Sequence, residues 1–246
     1  MADYTLVIRP QPDADRDVAW LRRYRVPALA SPVMQGTHLK TEMPNPDGFG
    51  GVIFTSRHAV DAMDLSAGYK GWCDKPAFVV GNATADAARR AGFDRIIMGS
   101  GGGSGLVPAI KQDYASRPMP LFWPSAEDIG FDIAASMAAI DLAVVRWPVY
   151  RMDPVEALCK PVCSALAART IGAVIGMSAR SVRLFRDNLY RESAALDFQR
   201  ISLIAGSNVI AEAAGAGWRE ILVARQPRRS RLLAIAVLRY QRDNGQ

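Results

Sequence analysis

Three blocks of this sequence occur twice, in the same order along the chain, and this internal repeat constrains the fold more than any single motif. The paired blocks are 32–34 with 148–150, 52–56 with 174–178, and 81–97 with 206–222, separated by 116, 122 and 125 residues. In the middle pair, Val-Ile-Phe-Thr-Ser matches Val-Ile-Gly-Met-Ser, and a valine follows each serine by four residues. Chance rarely preserves the order of three blocks. The repeat therefore predicts two copies of one unit of roughly 115 residues, a common domain size.

Short apolar runs alternate with alanine-rich stretches, which is the pattern of parallel α/β proteins. The predicted strands are 4–9, 51–55, 77–81, 95–98, 119–123, 143–150, 171–176, 201–205 and 220–224. The predicted helices are 13–24, 56–67, 83–91, 104–115, 128–139, 154–167, 179–192, 207–216 and 230–241. Two such units in one chain would leave a crevice between them, and ligand pockets are common at such places.

The charge balance favours an anionic ligand. The chain of 246 residues carries 30 basic and 24 acidic side chains, a net charge of +6 that attracts anions without naming one. The most basic segment, 221–242, holds six arginines and no acidic residue. A nucleic-acid surface is one interpretation of this segment. A basic run of this kind is more often a solvated helix face, which is the interpretation that we favour.

The sequence argues against a membrane-spanning or secreted protein. The longest stretch without a charged side chain, 96–110, has 15 residues, and a spanning helix needs roughly 18 apolar ones. The first ten residues contain an aspartate and an arginine, which come too early for a signal peptide. Three cysteines are an odd number, which does not suit a disulfide framework. We therefore expect a protein of the reducing cytosol.

Residues typical of metal, nucleophilic or nucleotide-binding sites are sparse. The chain has two histidines, and Pro161 interrupts the helical spacing of Cys159 and Cys163, so no metal site is predicted. The glycine-rich segment 99–105 lacks the Gly-Lys-Ser/Thr ending of a phosphate loop, and we interpret it as a mobile loop before a helix. The turn at Gly81 lacks the second and third glycines of a dinucleotide fingerprint, and no serine-hydrolase elbow occurs.

Small hydroxyl or amide residues stand where several predicted strands end and helices begin: Ser56, Thr84, Ser178 and Ser207–Asn208. Ordinary N-capping of a helix explains each of them alone. In open α/β sheets, however, these positions lie at the carboxyl ends of the strands, where backbone N–H groups and the helix dipole favour anions. Four arginines also lie beside strand ends, where they either add charge-assisted hydrogen bonds or are simply solvated: Arg9, Arg57, Arg151 and Arg180.

Several of these segments share their order and spacing with one known protein family. They are Ile53–Ser56 with Val60, Val80–Ala85 with Ala91–Phe93, Val149–Arg151, and Ser178 with Val182. In this ordered set the chain resembles the uroporphyrinogen-III synthases. The resemblance implies an α/β protein of two flavodoxin-like lobes with parallel sheets, joined by a two-stranded β connector. It places 1–34 with 152–246 in a discontinuous first lobe, 38–146 in an inserted second lobe, and the connector strands at about 32–37 and 146–151.

The resemblance also implies a reaction. A uroporphyrinogen-III synthase is a lyase that cyclises hydroxymethylbilane, a linear tetrapyrrole bearing acetate and propionate groups, with loss of water and inversion of the last pyrrole ring. The electrons of a pyrrole nitrogen can expel the hydroxyl group and leave an azafulvenium cation, so no metal or redox cofactor is expected. The enzyme must bring this cation to the substituted carbon of the terminal ring, giving a spiro intermediate. Positioning of this kind contributes several kcal/mol in well-aligned intramolecular reactions.

Tyr150 matches the family's tyrosine that is proposed to assist departure of the hydroxyl group. A phenol with a pKa of about 10 is protonated at neutral pH and can donate to a leaving oxygen, although packing against Trp147 is the alternative role. The resemblance and the strand-end pattern together give the expected substrate-binding residues, with main-chain N–H groups carrying much of the binding: Arg9, Ser56, Thr84, Arg151, Ser178, Ser207 and Asn208.

The expected partner is a small polycarboxylate substrate, with no nucleic acid or membrane involved, bound by a monomer in the cytoplasm. The alternative is a non-catalytic or regulatory protein of the same fold that binds an anion or a metabolite. Tyr150 favours the enzyme. The segments 176–178 and 205–209 depart from the family pattern, and the second of these favours the non-catalytic alternative.

Overall fold

The structure is a computed structural model, which describes residues 3–100, 102–114, 119–191 and 198–245. The chain divides into two compact units. Unit 1 comprises the chain up to Gln35 and from Asp153 onward, and unit 2 is Gly36–Met152. Residues 101, 115 and 192 lie outside the described residues. Residue 101 belongs to the glycine-rich segment, and residues 115 and 192 are the last residues of two predicted helices.

The described residues alternate between strands and helices. The strands are β1 (Tyr4–Val7), β2 (Ala28–Ala30), β3 (Met34–His38), β4 (Gly51–Phe54), β5 (Ala77–Val79), β6 (Ile96–Met98), β7 (Leu121–Ala126), β8 (Val144–Pro154), β9 (Ile171–Gly176), β10 (Ser202–Ala205) and β11 (Glu220–Val223). The helices are α1 (Asp13–Arg23), α2 (Arg57–Asp64), α3 (Asn82–Arg90), α4 (Leu106–Tyr114), α5 (Ile133–Ala138), α6 (Lys160–Ala167), α7 (Ala179–Arg191), α8 (Asn208–Ala214) and α9 (Arg229–Asn244). Each helix in this part of the chain falls short of the length and apolar character that a bilayer crossing requires.

The sheet of unit 1 has the strand order β11-β10-β9-β1-β2, and every neighbouring pair is parallel. Counted along the chain within this unit, the order is 2-1-3-4-5, which is that of flavodoxin. Parallel neighbours need crossover connections, and the helices in these connections cover both faces of the sheet. For this reason β9 and β10 are buried along their whole length, and apart from Ser202 their residues are apolar or glycine.

The sheet of unit 2 has the order β3-β8-β7-β4-β5-β6, with parallel pairing from β8 through to β6. Position by position, β6-β5-β4-β7-β8 corresponds to β11-β10-β9-β1-β2. The repeated blocks 52–56 and 174–178 are therefore β4 and β9 with the turns that follow them. The two units therefore share one topology. Along the chain, however, unit 1 begins with β1, whereas the equivalent strands of unit 2 begin with β4, which corresponds to β9. The prediction of two α/β lobes with parallel sheets is confirmed.

The chain passes between the units inside two strands. Strand β3 contains Gln35 and Gly36, β8 contains Met152 and Asp153, and the two strands are neighbours in the sheet. Immediately after β3, the N–H of Leu39 donates to the carbonyl oxygen of Val149 at 2.9 Å. Strand β8 is longer than the run predicted from sequence because, beyond β7, it continues alongside β3.

Aromatic side chains fill the core of unit 2 on both faces of its sheet. Successive residues of a strand point to opposite faces, so Phe122 and Trp123 of β7 enter different clusters. On one face Phe122 stacks on Trp72 with ring centroids 4.4 Å apart, and Phe49 packs at 5.4 Å from Phe122. Both faces exclude water, which fixes the positions of the strand ends that carry the candidate site.

Two predicted helices begin later in the structure. The helix predicted over 154–167 starts at Lys160, because β8 extends to Pro154 and Pro161 favours the first turn of a helix. The helix predicted over 128–139 starts at Ile133, because the Asp132 carboxylate caps it and accepts from the N–H of Ala135 at 3.1 Å.

Strand β2 was not predicted at all. It has three residues, Ala-Leu-Ala, which carry no alternating pattern. Its pairing with β1, in the register Thr5–Ala28, supplies the hydrogen bonds that define it as a strand. Only the tertiary pairing makes this segment extended.

Candidate active site

The carboxyl ends of β4 and β7 form a topological switch point in unit 2. From β4 the chain continues to β5 and β6 on one side, and it then returns to β7 and β8 on the other. Connections that leave neighbouring strands in opposite directions open a crevice at the strand ends, where ligands bind in sheets of this kind. A cavity of about 280 Å³ lies there, which we call the switch-point cavity. Its lining residues are Thr55, Ser56, Gly103, Trp123, Ala126, Asp128, Ile129, Gly130, Phe131 and Tyr150.

Tyr150 contributes a side chain to this lining that is 6% exposed. Burial raises the pKa of the Tyr150 phenol above its ordinary value, and a hydrogen bond with the side chain of Ser56 offsets this only in part. The Tyr150 ring also lies 5.7 Å from the ring of His58, between centroids. The phenol therefore keeps its proton at neutral pH and can act as a proton or hydrogen-bond donor.

Ser56 joins the cavity to the start of α2. As the N-cap residue of this helix, its hydroxyl oxygen accepts from the N–H of His58 at 3.2 Å. The same side chain bonds the phenol of Tyr150. Ser56 can thus cap the helix and bond the phenol at the same time, because a hydroxyl oxygen accepts while its proton remains available.

The turn after β7 is held by Trp123 and Arg146. The indole N–H of Trp123 donates to the hydroxyl of Thr55 at 3.3 Å, which joins the ends of β7 and β4. The guanidinium of Arg146 donates to the carbonyl oxygens of Ala126 at 3.0 Å and Glu127 at 2.5 Å. It also lies over the Trp123 ring, 5.9 Å from the centroid. These contacts fix the chain immediately before the cavity residues 128–131.

The glycine-rich segment approaches the cavity at Gly103. A β-carbon on Gly103 would lie 2.5 Å from the Phe131 ring, so only glycine permits this approach without movement of the ring. Gly102 has a φ of +66°, a conformation that glycine adopts readily. Residues 102–105 thus form a turn immediately before α4, and Gly103 lines the cavity.

Unit 1 has a second cavity at the carboxyl ends of β10 and β11, of about 400 Å³. We call it the β10–β11 cavity; it is lined by Gly206, Ser207, Asn208, Val223, Ala224, Arg225 and Pro227. Ser207 caps α8 by accepting from the N–H of Ile210 at 3.4 Å. The cavity thus brings Ser207 and Asn208, two of the predicted binding residues, together with Arg225, which was not predicted to bind the substrate.

Ser178 precedes α7 and is engaged in local bonds. Its hydroxyl oxygen accepts from the N–H of Ser181 at 3.0 Å and lies 2.7 Å from the Ser181 hydroxyl. Ser181 itself is buried. Among the described cavities, Ser178 lines neither the switch-point cavity nor the β10–β11 cavity.

Arg9 follows β1, and its guanidinium bonds two carboxylates of α1. It lies 2.6 Å from Asp13 and 3.1 Å from Asp17. The Asp17 carboxylate is fully buried and also pairs with Arg229 at the start of α9. The positive charge of Arg9, which was predicted to meet a substrate anion, is thus balanced by carboxylates of unit 1.

Thr84 and Arg151 lie near the sheet of unit 2 but outside its described cavity lining. Thr84 is 5% exposed, and its N–H donates to the carbonyl oxygen of Gly81 at 3.0 Å within the first turn of α3. Arg151 follows Tyr150 in β8, so its exposed side chain leaves the opposite face of the strand.

A sequence model of the family described as "Uroporphyrinogen-III synthase HemD" matches residues 16–234. The chain belongs to the uroporphyrinogen-III synthase family. Membership makes it a lyase of tetrapyrrole biosynthesis that acts on a small molecule, as the sequence predicted. Both cavities described above fall largely within the matched segment.

Solved structures of this family share the fold. The uroporphyrinogen-III synthetase of Helicobacter pylori 26695 is similar with a TM-score of 0.64 and 16% identity, over 97% of this chain and 99% of that one. A mutant uroporphyrinogen-III synthase of the extremely thermophilic bacterium Thermus thermophilus is similar with a TM-score of 0.53 and 16% identity, over 99% of each chain. At this identity the likeness is one of fold.

Sequence reasoning missed the cavity-lining residues Trp123, 126 and 128–131, and it missed Arg146, which holds the turn before them. No short motif surrounds any of them. The repeat offered one usable signal, since β7 corresponds to β1, and the turns after β1 and β7 both flank a switch point. Aligning those two strands would have drawn attention to the residues that follow Ala126.

Proposed function

We propose that this chain cyclises hydroxymethylbilane to uroporphyrinogen III, with loss of water and inversion of the terminal pyrrole ring. Family membership supports the reaction, and the observation that carries it to particular residues is the buried, protonated Tyr150 in the switch-point cavity. A buried phenol between a serine hydroxyl and apolar walls is suited to donate to a neutral leaving oxygen. It is poorly suited to bind a carboxylate by itself.

In the proposed first step, the bond between the hydroxymethyl carbon and its oxygen breaks. The lone pair of the pyrrole nitrogen forms the new C=N bond, the bonding pair leaves with the oxygen, and the Tyr150 proton converts the oxygen to water. Ser56 holds the phenol in place through its hydrogen bond. The cation then bonds the substituted carbon of the terminal ring to give the spiro intermediate, and the bond from that carbon to its original methylene bridge breaks to release a second azafulvenium cation. This cation closes on the unsubstituted carbon of the inverted ring, which loses its proton and so restores the phenol.

We further propose that substrate carboxylates bind at Ser207, Asn208 and Arg225 in the β10–β11 cavity, where a guanidinium lies beside hydroxyl and amide donors. Ser56 and Ser178 are proposed to contribute at their strand ends, and Thr84 and Arg151 to act at the margins of the site. Arg9 is proposed to order the chain after β1 through Asp13 and Asp17 and to contact the substrate with its remaining donors.

A product-isomer assay tests the proposal. Freshly prepared hydroxymethylbilane is incubated with the protein, the products are oxidised to porphyrins, and the type I and type III isomers are separated by chromatography. We expect type III product at a rate proportional to protein concentration. Type I product alone, formed at the rate seen without protein, would refute the proposal and support the non-catalytic alternative.

We also propose that the protein is a cytoplasmic monomer that uses neither nucleic acid nor a membrane. Its three cysteines are free, which suits a reducing compartment. The large apolar side chains that are exposed come from several separate elements of the chain, and single exposed apolar residues are normal for a monomer. Light scattering coupled to gel filtration, at the concentration of the activity assay, measures the mass directly.

A further inference from the structure

The turn between β11 and α9 carries three exposed arginines, Arg225, Arg228 and Arg231. None of them forms an ion pair or a side-chain hydrogen bond with a residue that the structure describes. Other arginines of the same basic segment differ, since Arg229 and Arg242 are paired with carboxylates. We call the three side chains without such a pair the α9 arginine patch.

The α9 arginine patch adjoins the β10–β11 cavity. Arg225 and Pro227 line this cavity, and Arg228 follows directly after Pro227. The N–H of Arg228 donates to the carbonyl oxygen of Gln226 at 2.7 Å, and the N–H of Arg231 donates to that of Arg228 at 2.9 Å. The patch is therefore carried beside the cavity by a turn whose backbone is hydrogen-bonded.

Carboxylates of the adjoining helices do not cancel this charge. Helix α1, which packs against α9, has three carboxylates. Asp13 and Asp17 are already bonded by arginines of unit 1, and Asp15 accepts a hydrogen bond from a glutamine side chain. Helix α8, which begins beside the cavity, adds the exposed Glu212. Even if Asp15 and Glu212 both faced the patch, two carboxylates would not balance its three arginines.

Two of these arginines are unfavourable for α9 itself. Arg228 is the N-cap residue, and its side chain forms no capping hydrogen bond. Arg231 lies in the first turn, which contains no acidic residue. The helix dipole places partial positive charge at this end, so cations there destabilise the helix. Residues that break a local rule without a compensating contact are typical of functional sites. Their positions are thus better explained by an anionic ligand than by the stability of α9.

We infer that Arg228 and Arg231 recruit the acidic groups of the substrate to the β10–β11 cavity and determine the preference for a ligand with many carboxylates. This inference rests on the proposed function, which places substrate carboxylates in that cavity. Exposed guanidinium groups attract anions from solution, and salt screens the attraction. Because the carboxylates keep their charge during ring closure, the arginines stabilise bound substrate and transition state alike. They therefore lower KM and leave kcat unchanged.

The test compares the double variant Arg228→Gln with Arg231→Gln against Arg200→Gln. Arg200 is also exposed and also lacks an ion pair with a described residue, but it precedes β10 and so lies at the opposite edge of the same sheet. The length of this four-residue strand, about 13 Å, separates the two edges. This exceeds the Debye length of about 10 Å at 0.1 M salt, so the control removes a charge that is screened from the cavity.

Binding is measured by quenching of porphyrin fluorescence, with two probes that need no turnover. Uroporphyrin I carries acetate and propionate groups, and coproporphyrin I has a methyl group in place of each acetate. We expect the double variant to bind uroporphyrin I about fivefold more weakly at 0.1 M salt and less than twofold more weakly at 0.5 M. Coproporphyrin I should lose less affinity, because it presents fewer carboxylates. Arg200→Gln should bind both probes as the wild type does, and Arg228→Lys with Arg231→Lys should retain most of the affinity, because it keeps the charge.

Turnover and stability give independent readouts. In the isomer assay the double glutamine variant should raise KM by a factor similar to its loss of affinity and keep kcat within twofold of the wild type. Its unfolding temperature should equal or exceed that of the wild type, because cations leave a helix N-terminus. A loss of affinity that persists at 0.5 M salt, or that accompanies a lower unfolding temperature, would assign the arginines a structural role and overturn the inference.

Different failures have different meanings. If the wild type forms no type III isomer, the proposed function fails, and the binding measurements alone decide whether the patch recruits a polycarboxylate. If the wild type is active and the double variant binds uroporphyrin I as tightly at 0.1 M salt, the inference is overturned while the proposed function stands. An equal loss in Arg200→Gln would also overturn it, because net charge rather than the α9 arginine patch would then account for the effect.

Discussion

Replacing Tyr150 with phenylalanine removes one oxygen atom from the switch-point cavity and retains the ring. The ring is buried with the aromatic and aliphatic core of unit 2, so its packing should persist. The change removes the hydrogen bond with Ser56, but the Ser56 hydroxyl continues to cap α2 through the N–H of His58. The net loss of stability should be about 1 kcal/mol, as for one intramolecular hydrogen bond.

The effect on turnover should be larger than the effect on stability. General acids typically contribute about 10²- to 10⁴-fold to a rate. The lower end applies here, because the pyrrole expels its hydroxyl group without help and burial makes the phenol of Tyr150 a weaker acid. We expect kcat to fall about 10²-fold, which corresponds to about 2.7 kcal/mol in the activation free energy. KM and the affinity for product should change little, because the phenol acts on the leaving oxygen.

The assay measures kcat and KM for type III product with fresh hydroxymethylbilane, and Tyr114→Phe is the matched control. Tyr114 is also fully buried in unit 2, and its hydroxyl donates to the carbonyl oxygen of Met119 at 2.9 Å, away from the cavity lining. The control should lose a similar amount of stability and keep its turnover. A Tyr150→Phe variant with kcat within twofold of the wild type would remove Tyr150 from the mechanism.

The remaining predictions concern pH, packing and metals. Because folding raises the pKa of Tyr150, the free energy of unfolding should fall as pH rises above about 10. This fall should be smaller in Tyr150→Phe. If urea titrations between pH 9 and 11 show the same pH dependence of the free energy of unfolding in both proteins, the prediction is wrong. Gly103→Ala, whose new β-carbon would lie 2.5 Å from the Phe131 ring, should cost about 1 kcal/mol of stability. The double variant Gly103→Ala with Phe131→Ala should lose less stability than the sum of the two single losses, as measured in a double-mutant cycle. Activity should survive dialysis against a chelator, because the substrate's own nitrogen expels the leaving group; loss that added metal restores would count against this chemistry.

The repeat predicted much of the fold, because a duplicated sequence that keeps its apolar blocks must form the same layers twice. It could not give the strand order, since parallel neighbours are joined through crossovers and the chain enters the two copies at different strands. Boundaries set by a local signal, such as the start of α1, were close to the prediction. Strand β2 was missed because it is defined only by its partner β1.

The basic segment 221–242 shows how tertiary structure changes the meaning of a local pattern. It lacks acidic residues of its own, yet three of its six arginines pair with carboxylates that other parts of unit 1 provide or that follow on the same helix. Arg229 bonds Asp17, Arg242 bonds Glu220, and the buried Arg239 pairs with Asp243 at 3.0 Å. The hydrogen bond from Arg242 and the charges around it hold the pKa of Glu220 below its usual range. Five of the six arginines are exposed, so the segment is a solvated surface that also forms ion pairs within unit 1, in agreement with the interpretation that we favoured.

Sequence alone determined that the chain is a duplicated parallel α/β protein of the uroporphyrinogen-III synthase family, because apolar periodicity and ordered motifs are local and additive. It also predicted Tyr150 and Ser56, separately, as site residues. Tertiary structure decided that they share one cavity, since β8, β7 and β4 lie side by side although they are distant along the chain. It also brought Asp128 into that cavity and paired Arg9 with Asp13 and Asp17. Charge acts through space, so the role of an ionisable residue depends on neighbours that only the folded chain assembles.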